Sequence, residues 1–331
     1  MQHWPISAIR APMLVRVFAF MVWLGLAASV AQALPPTSDQ FDDIAIGGSQ
    51  HYVAPPLGAE ALARIQILLD RAGYSPGVID GKDTVRFRLA LATHNAANPE
   101  DKLLPGLMRV STTPLFVDYE ITAKDARGPF TPNIPALYIN QASLPQIGFM
   151  NTREMLAERF HMDEDYLAQL NPQADFDQPG TVIRVANKGK NLQTRVARIE
   201  ADKSALQVRA YDAGGRLVAA YPASIGSANT PSPSGTHTVR NKAQNPQYTY
   251  DPNGSAQPGL SKGLVRLPPG PNGPVGNAWI GLSKRSYGIH GTPEPSEIGI
   301  TGSVGCVRLT NWDALELARL VRRGVKVTFI E

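Results

Sequence analysis

Residues 287–309 read YGIHGTPEPSEIGITGSVGCVRL and contain Cys306, the only cysteine in the 331-residue chain. A lone cysteine is a partner for intermolecular pairing, a buried inert thiol or a reactive one. A thiol attacks as its thiolate, and a free cysteine with a pKa of about 8.5 is mostly protonated at neutral pH, so a nucleophilic Cys306 needs a base or a cation beside it. Six histidines are available. His3, His51, His94 and His161 fall in N-terminal or accessory regions, which leaves His237 and His290. His290 ends the strand-like run before Gly291, and Cys306 follows Gly302, Ser303 and Gly305. Glycine lets the backbone approach closely and leaves a neighbouring side chain exposed. Two reactive side chains at glycine-marked turns are what a Cys–His nucleophile pair requires.

Outward from this stretch the pattern is that of strands. RVARIEAD, ALQVRAYD and RLVAAYPASIG alternate apolar and polar residues around a turn at Ala213-Gly214-Gly215, a hairpin signal. Residues 194–305 hold many Gly and Pro and no long helical period, so this part is expected to be mostly β. One helix closes it. Thr310-Asn311-Trp312-Asp313 offers an N-terminal cap, ALELARLVRR supplies the period, Gly324 ends it, and VKVTFI reads as a last strand.

The histidine of YGIHGT, Ile298-Gly299 after it and then S-V-G-C-V-R-L resemble the signature of YkuD-type L,D-transpeptidases, as does the upstream proline-rich PSPSGTHTV at 231–239. The resemblance covers about 194–331. It implies a multidomain α+β chain whose catalytic domain is a β-sandwich-like fold with one C-terminal helix. It also implies a thiol transferase without cofactor. Cys306 is then an accessible nucleophile of low pKa and His290 its base, oriented by the Gly291 carbonyl, with backbone N–H groups around Gly305 as the oxyanion hole. Arg308, Ser303 and Tyr287 match positions that support the site or substrate, and His237 stands where the family usually carries an aromatic, lining or packing near the cleft. Val304 departs from the pattern, since many members have a second histidine there.

The implied reaction is acyl transfer on peptidoglycan stem peptides. The thiolate attacks the carbonyl of the third stem residue, commonly diaminopimelate, expels D-Ala, and passes the acyl group to an amine of another stem or of a wall-anchored lipoprotein. A carboxypeptidase or cross-link-cleaving hydrolase uses the same residues, and an idle wall-binding protein is a third reading. No H-x-H, H-E-x-x-H or paired-cysteine spacing suggests a metal.

The remaining chain divides by composition. Arg10 and Arg16, the apolar run Val17–Val30 and small residues at 31–33 form the three-part pattern of a cleaved export signal over 1–33. Its apolar run is shorter than the roughly 20 residues that span a bilayer, so membrane contact is expected only through this segment. Cleavage lowers the formal charge from +4 to about +2, since the segment holds two arginines and no acid. A near-neutral protein without a basic aromatic stripe is a poor partner for nucleic acid. Residues 34–57 read as a linker. Residues 58–110 form a helical module resembling peptidoglycan-binding modules through AGYSPGVIDGK, 111–141 an extended connector, and 142–187 a LysM-like module. A periplasmic, wall-associated enzyme is the expected setting.

Overall fold

A computed structural model describes residues 57–100, 113–227, 230–251, 263–303 and 305–331. The export signal, nearly all of the linker, the end of the helical module and Val304 lie outside the described residues.

Helix α1 (Ala59–Arg71) buries two faces. Ala63 and Ile67, four residues apart, pack with Leu156, Leu167 and Ile183, whereas Ile65, Leu68 and Leu69 pack with Phe87, Tyr74 and Ala220. A helix apolar on more than one side has to be enclosed, and this one is wedged between two neighbours. Helix α2 (Val85–Ala97) starts at Thr84, whose hydroxyl accepts the Phe87 N–H at 3.2 Å. Between the helices the GVIDGK turn is held by buried Gln66, whose amide oxygen accepts from Asp80 and Gly81 N–H at 3.0 and 2.9 Å.

Strand β1 (Phe116–Glu120) pairs antiparallel with β2 (Val182–Ala186). Four helices lie between them: α3 (Ala123–Arg127), α4 (Tyr138–Gln141), α5 (Thr152–Arg159) and α6 (Glu164–Leu170). The stretch 111–141 therefore departs from the extended connector expected of it. Its strand finds a partner more than sixty residues away, and Thr122 and Asp125 form a capping box that starts a helix.

The C-terminal region is built on β3 (Arg198–Asp202), β4 (Gln207–Tyr211), β5 (Leu217–Pro222), β6 (Ser224–Ile225) and β7 (Gly235–Gln244). A small hairpin follows, β8 (Tyr248–Tyr250) with β9 (Val265–Leu267), then β10 (Ala278–Leu282), β11 (Gly288–His290), β12 (Val307–Arg308), helix α7 (Asn311–Leu320) and β13 (Lys326–Ile330). Nine of these strands form one mixed sheet in the order β5-β4-β3-β13-β7-β10-β11-β12-β6. Its two edge strands, β5 and β6, are separated in the chain by Ala223 alone, so the sheet must curl back until its edges nearly meet. This corrects the sandwich expectation. The region is α+β with a nearly closed, barrel-like sheet, because one sheet encloses the core of Ile199, Val208, Ile280, Ile289 and Val327 that two sheets were expected to cover. Helix α7 packs Ala314, Leu317 and Leu320 into the same core.

The N-terminal helices are continuous with this sheet. Ala220 N–H donates to Gly73 O at 2.8 Å and accepts at its own carbonyl from Ser75 N–H at 2.9 Å, so residues 73–75 cover the outer edge of β5. Ser75 Oγ also donates to the buried Asp313 carboxylate of α7 at 2.8 Å. The described residues belong to one compact unit, Pro56–Glu331. The helical segment shares its core with β5 and does not hang beside it.

Candidate active site

Strands β11 and β12 run parallel, with Ile289 opposite Val307 and His290 opposite Arg308. Side chains alternate across a sheet. Ile289, Val307 and Ile280 point into the core, so His290, Arg308 and Cys306 stand on the other face. Trp279 of β10, opposite His290, shares that face. The same register sets Cys306 beside Gly288. A Cβ on Gly288 would lie 2.6 Å from the Trp279 ring, so the glycine makes room for the indole beside the thiol.

His290 is 5% exposed. Its Nδ1 lies 2.7 Å from the Gly291 carbonyl. That oxygen only accepts, so Nδ1 carries the proton and Nε2 keeps a lone pair. The Trp279 ring stacks on the imidazole with centroids 5.6 Å apart and planes 20° apart. Burial holds the imidazole pKa down to about 4, with the hydrogen bond to Gly291 opposing and the Arg308 charge reinforcing the shift.

Cys306 is partly buried, and its Sγ donates to the Ser286 carbonyl at 3.7 Å. Ser286 sits at φ +66°, a left-handed conformation that costs an L-residue about 1–2 kcal/mol. Burial raises the thiol pKa, partly offset by the Gly288 N–H directed at the sulfur. The expectation of a low-pKa thiol is corrected here. Desolvation favours the neutral form of both members, and no hydrogen bond joins Sγ to the His290 ring among the described residues. The resting arrangement is a thiol beside a neutral imidazole on the adjacent strand.

The turn ahead of Cys306 is held by its neighbours. Ser303 Oγ accepts the Gly226 N–H at 2.7 Å and donates to the Cys306 carbonyl, while Ser303 N–H donates to Gly226 O at 2.9 Å. Ser232 Oγ donates to Gly305 O at 2.8 Å. Gly305 has φ +85°, and a Cβ there would lie 3.1 Å from the Tyr287 ring, which borders the turn. Arg308 Nη2 donates to Thr301 Oγ1 at 2.9 Å and to the Gly302 carbonyl at 2.5 Å. Its visible role is to clamp the loop.

His237 is not brought to this face. It shares the core side of β7 with Val239, meets Phe329 edge-on at 5.9 Å and has its Nε2 3.2 Å from Ser234 O. Two further residues border this face. Trp279 carries only a weak sequence signal, a tryptophan on a strand beside a glycine. Burial, with smaller contributions from Tyr138 and Cys306, raises the pKa of Tyr248 on β8. Among the described residues no group of His, Cys, Asp and Glu is arranged to hold a metal ion.

The profile of the YkuD L,D-transpeptidase catalytic domain matches residues 196–329. The chain is 33% identical over 178 residues to the "Putative L,D-transpeptidase YkuD" of Bacillus licheniformis, covering 54% of this chain and 92% of that protein. It is 29% identical over 189 residues to the "Probable L,D-transpeptidase YbiS" of Escherichia coli K12, covering 54% of this chain and 60% of that protein. Among solved structures it is similar to L,D-transpeptidase 3 from Mycobacterium tuberculosis, with 18% identity, 46% of this chain and 76% of that chain covered, and a TM-score of 0.35.

Proposed function

Because the chain belongs to the YkuD L,D-transpeptidase family, whose members are cysteine-dependent transpeptidases acting on peptidoglycan, we propose that Cys306 and His290 perform the acyl transfer on stem peptides. The observation that carries this reading is the fixed tautomer of His290. Its Nδ1–H is committed to Gly291 O at 2.7 Å, which leaves Nε2 as the only ring base, on the strand beside Cys306. A backbone carbonyl supplies the orientation that a carboxylate supplies in other triads.

Attack transfers the S–H proton to His290 Nε2 as Sγ bonds to the carbonyl carbon of the third stem residue. Gly305, at φ +85°, and Cys306 offer backbone N–H groups to the resulting oxyanion. Collapse breaks the C–N bond to D-Ala, whose amine takes the proton back from Nε2, and leaves a thioester. An acceptor amine then attacks the thioester and gives its proton to His290, and the thiolate departs and is reprotonated. The acceptor is a second stem or the amine of a wall-anchored lipoprotein. Because both resting groups are neutral, His290 acts as a general base during attack. Ser303, Arg308 and Tyr287 support the turn, and His237 belongs to the packing of the sheet.

The order β1, α5, α6, β2 supports a LysM-like reading of the surrounding residues, with the segment between β1 and α5 inserted. The helical segment around AGYSPGVIDGK supports a wall-binding role, and the basic-apolar N-terminal 33 residues support export to the periplasm.

The test is to mix the protein with a disaccharide-tetrapeptide and follow intact-protein and product masses. Loss of D-Ala, a transient adduct on Cys306 and a cross-linked dimer that grows with donor concentration are expected. Tripeptide alone, even with an amine acceptor added, would turn the assignment to a hydrolase. No adduct on a titratable thiol would reduce the protein to a wall binder.

A further inference from the structure

Helix α2 carries a buried arginine that the acyl-transfer chemistry leaves without a role. Arg86 lies in the first turn of α2 and is 8% exposed. Its Nη1 donates to the Ser296 carbonyl and, at 3.0 Å, to that of Ile298, while Nη2 lies 4.0 Å from the Asp80 carboxylate. A guanidinium stays charged, and a buried charge is retained only where partners hold it. Here two of its partners are backbone carbonyls more than two hundred residues away.

Those carbonyls lie in the segment Gly291–Ser303, which leads from His290 towards the Cys306 turn. Gly299 N–H donates to Ser224 Oγ at 3.1 Å, Arg308 holds Thr301 and Gly302, and Ser303 is tied to Gly226. Gly299 adopts φ +76°, and a Cβ there would sit 3.7 Å from Arg86 Cγ, so the segment passes between Arg86 and β6. Of these tethers, only Arg86 comes from outside the span 196–329 that matches the family profile.

We propose that Arg86 is a positioning residue for the acyl-transfer site: from the N-terminal helices it fixes the backbone leading to the Cys306 turn, so that the N–H groups after it keep their register with Sγ. The inference rests on the acyl-transfer reading above. It makes the helical segment a working part of the site, so the C-terminal domain cut at 194 would lack a tether that the full chain has.

The test uses the full chain and two probes of the same sulfur. A carbapenem acylates Cys306 through a tetrahedral intermediate that needs the oxyanion donors, whereas iodoacetamide alkylates it by displacement and does not. Arg86→Met keeps the apolar stem and removes the donors. Carbapenem acylation should fall roughly 10- to 100-fold, the scale expected for slight misplacement of reacting groups, while alkylation stays within about threefold and Tm stays near that of the parent. Arg86→Lys should recover part of the loss, and millimolar guanidinium should restore acylation to Arg86→Ala. Equal acylation of Arg86→Met and the parent would overturn the inference, as would equal losses with both probes or a failure of both rescues. If Arg86→Met does not fold, Arg86→Lys is read by itself: a smaller loss confined to carbapenem acylation supports the inference, and no loss, or an equal loss with both probes, overturns it. A parent protein that alkylates but is acylated by neither carbapenem nor tetrapeptide would overturn the acyl-transfer reading itself, and the inference with it.

Discussion

Replacing Trp279 with alanine should move the acid limb of acylation upward. The indole covers one face of His290, with centroids 5.6 Å apart, and burial holds the imidazole pKa at about 4 against an ordinary value of 6.5. At pH 5 a base of pKa 4 is about nine-tenths neutral, whereas one of pKa 6.5 is only about 3% neutral, a difference of roughly 30-fold. Rehydrating the ring by Trp279→Ala raises its pKa part of the way back. The acylation rate at pH 5 should then drop by up to about 30-fold relative to the parent, with little protonation effect at pH 7.5. Trp279 is partly buried on the outer face of the sheet and lies outside the core cluster, so the change spares the core. Single-turnover acylation by a carbapenem, followed by mass from pH 4 to 8, measures both limbs. Folding stability shifts with a definite sign. The unfolded chain binds the His290 proton below pH 6.5 and the folded one only near pH 4, so the contribution of the neutral ring is complete above about 6.5 and is lost as pH falls to about 4. At most about 3 kcal/mol is involved. A parent acid limb at 6.5, or one at 4 that Trp279→Ala leaves in place, would refute the burial argument.

Gly305→Val should cost about 1–2 kcal/mol from φ +85° alone and crowd the Tyr287 ring, so acylation should fall steeply while circular dichroism changes little. Ser303→Ala removes the acceptor of the buried Gly226 N–H, worth about 1–3 kcal/mol; urea denaturation should show the loss, and Ser303→Thr should recover part of it. The isolated 194–331 domain exposes Ala220 and Leu217 where Tyr74 and Phe87 packed and leaves Asp313 without Ser75, so its Tm should lie below that of the full chain. An equal Tm would mean that the N-terminal helices add nothing to the sheet.

That Cys306 and His290 belong to one candidate site was legible because the signal is local: two glycine-marked turns in a fixed order, with His290 followed by the glycine whose carbonyl lies against it. The C-terminal helix starts where Thr310 marks it, with Thr310 Oγ1 accepting the Asp313 N–H at 3.2 Å. The β4–β5 hairpin likewise turns at Ala213-Gly214-Gly215. Caps and tight turns are settled within a few residues, so the amino-acid sequence by itself determined them. Strand partners are another matter. Period two tells which residues share a face but not which strand lies alongside, and nothing local tells β13 to insert between β3 and β7, or β1 to pair with β2 across four helices. Only the tertiary structure decided that one sheet curls where two were expected. The charge state of the site belongs there too, since it follows from how much water the fold removes from Cys306 and His290. So does the reach of Arg86, whose partners lie more than two hundred residues away and are backbone carbonyls that no residue type announces.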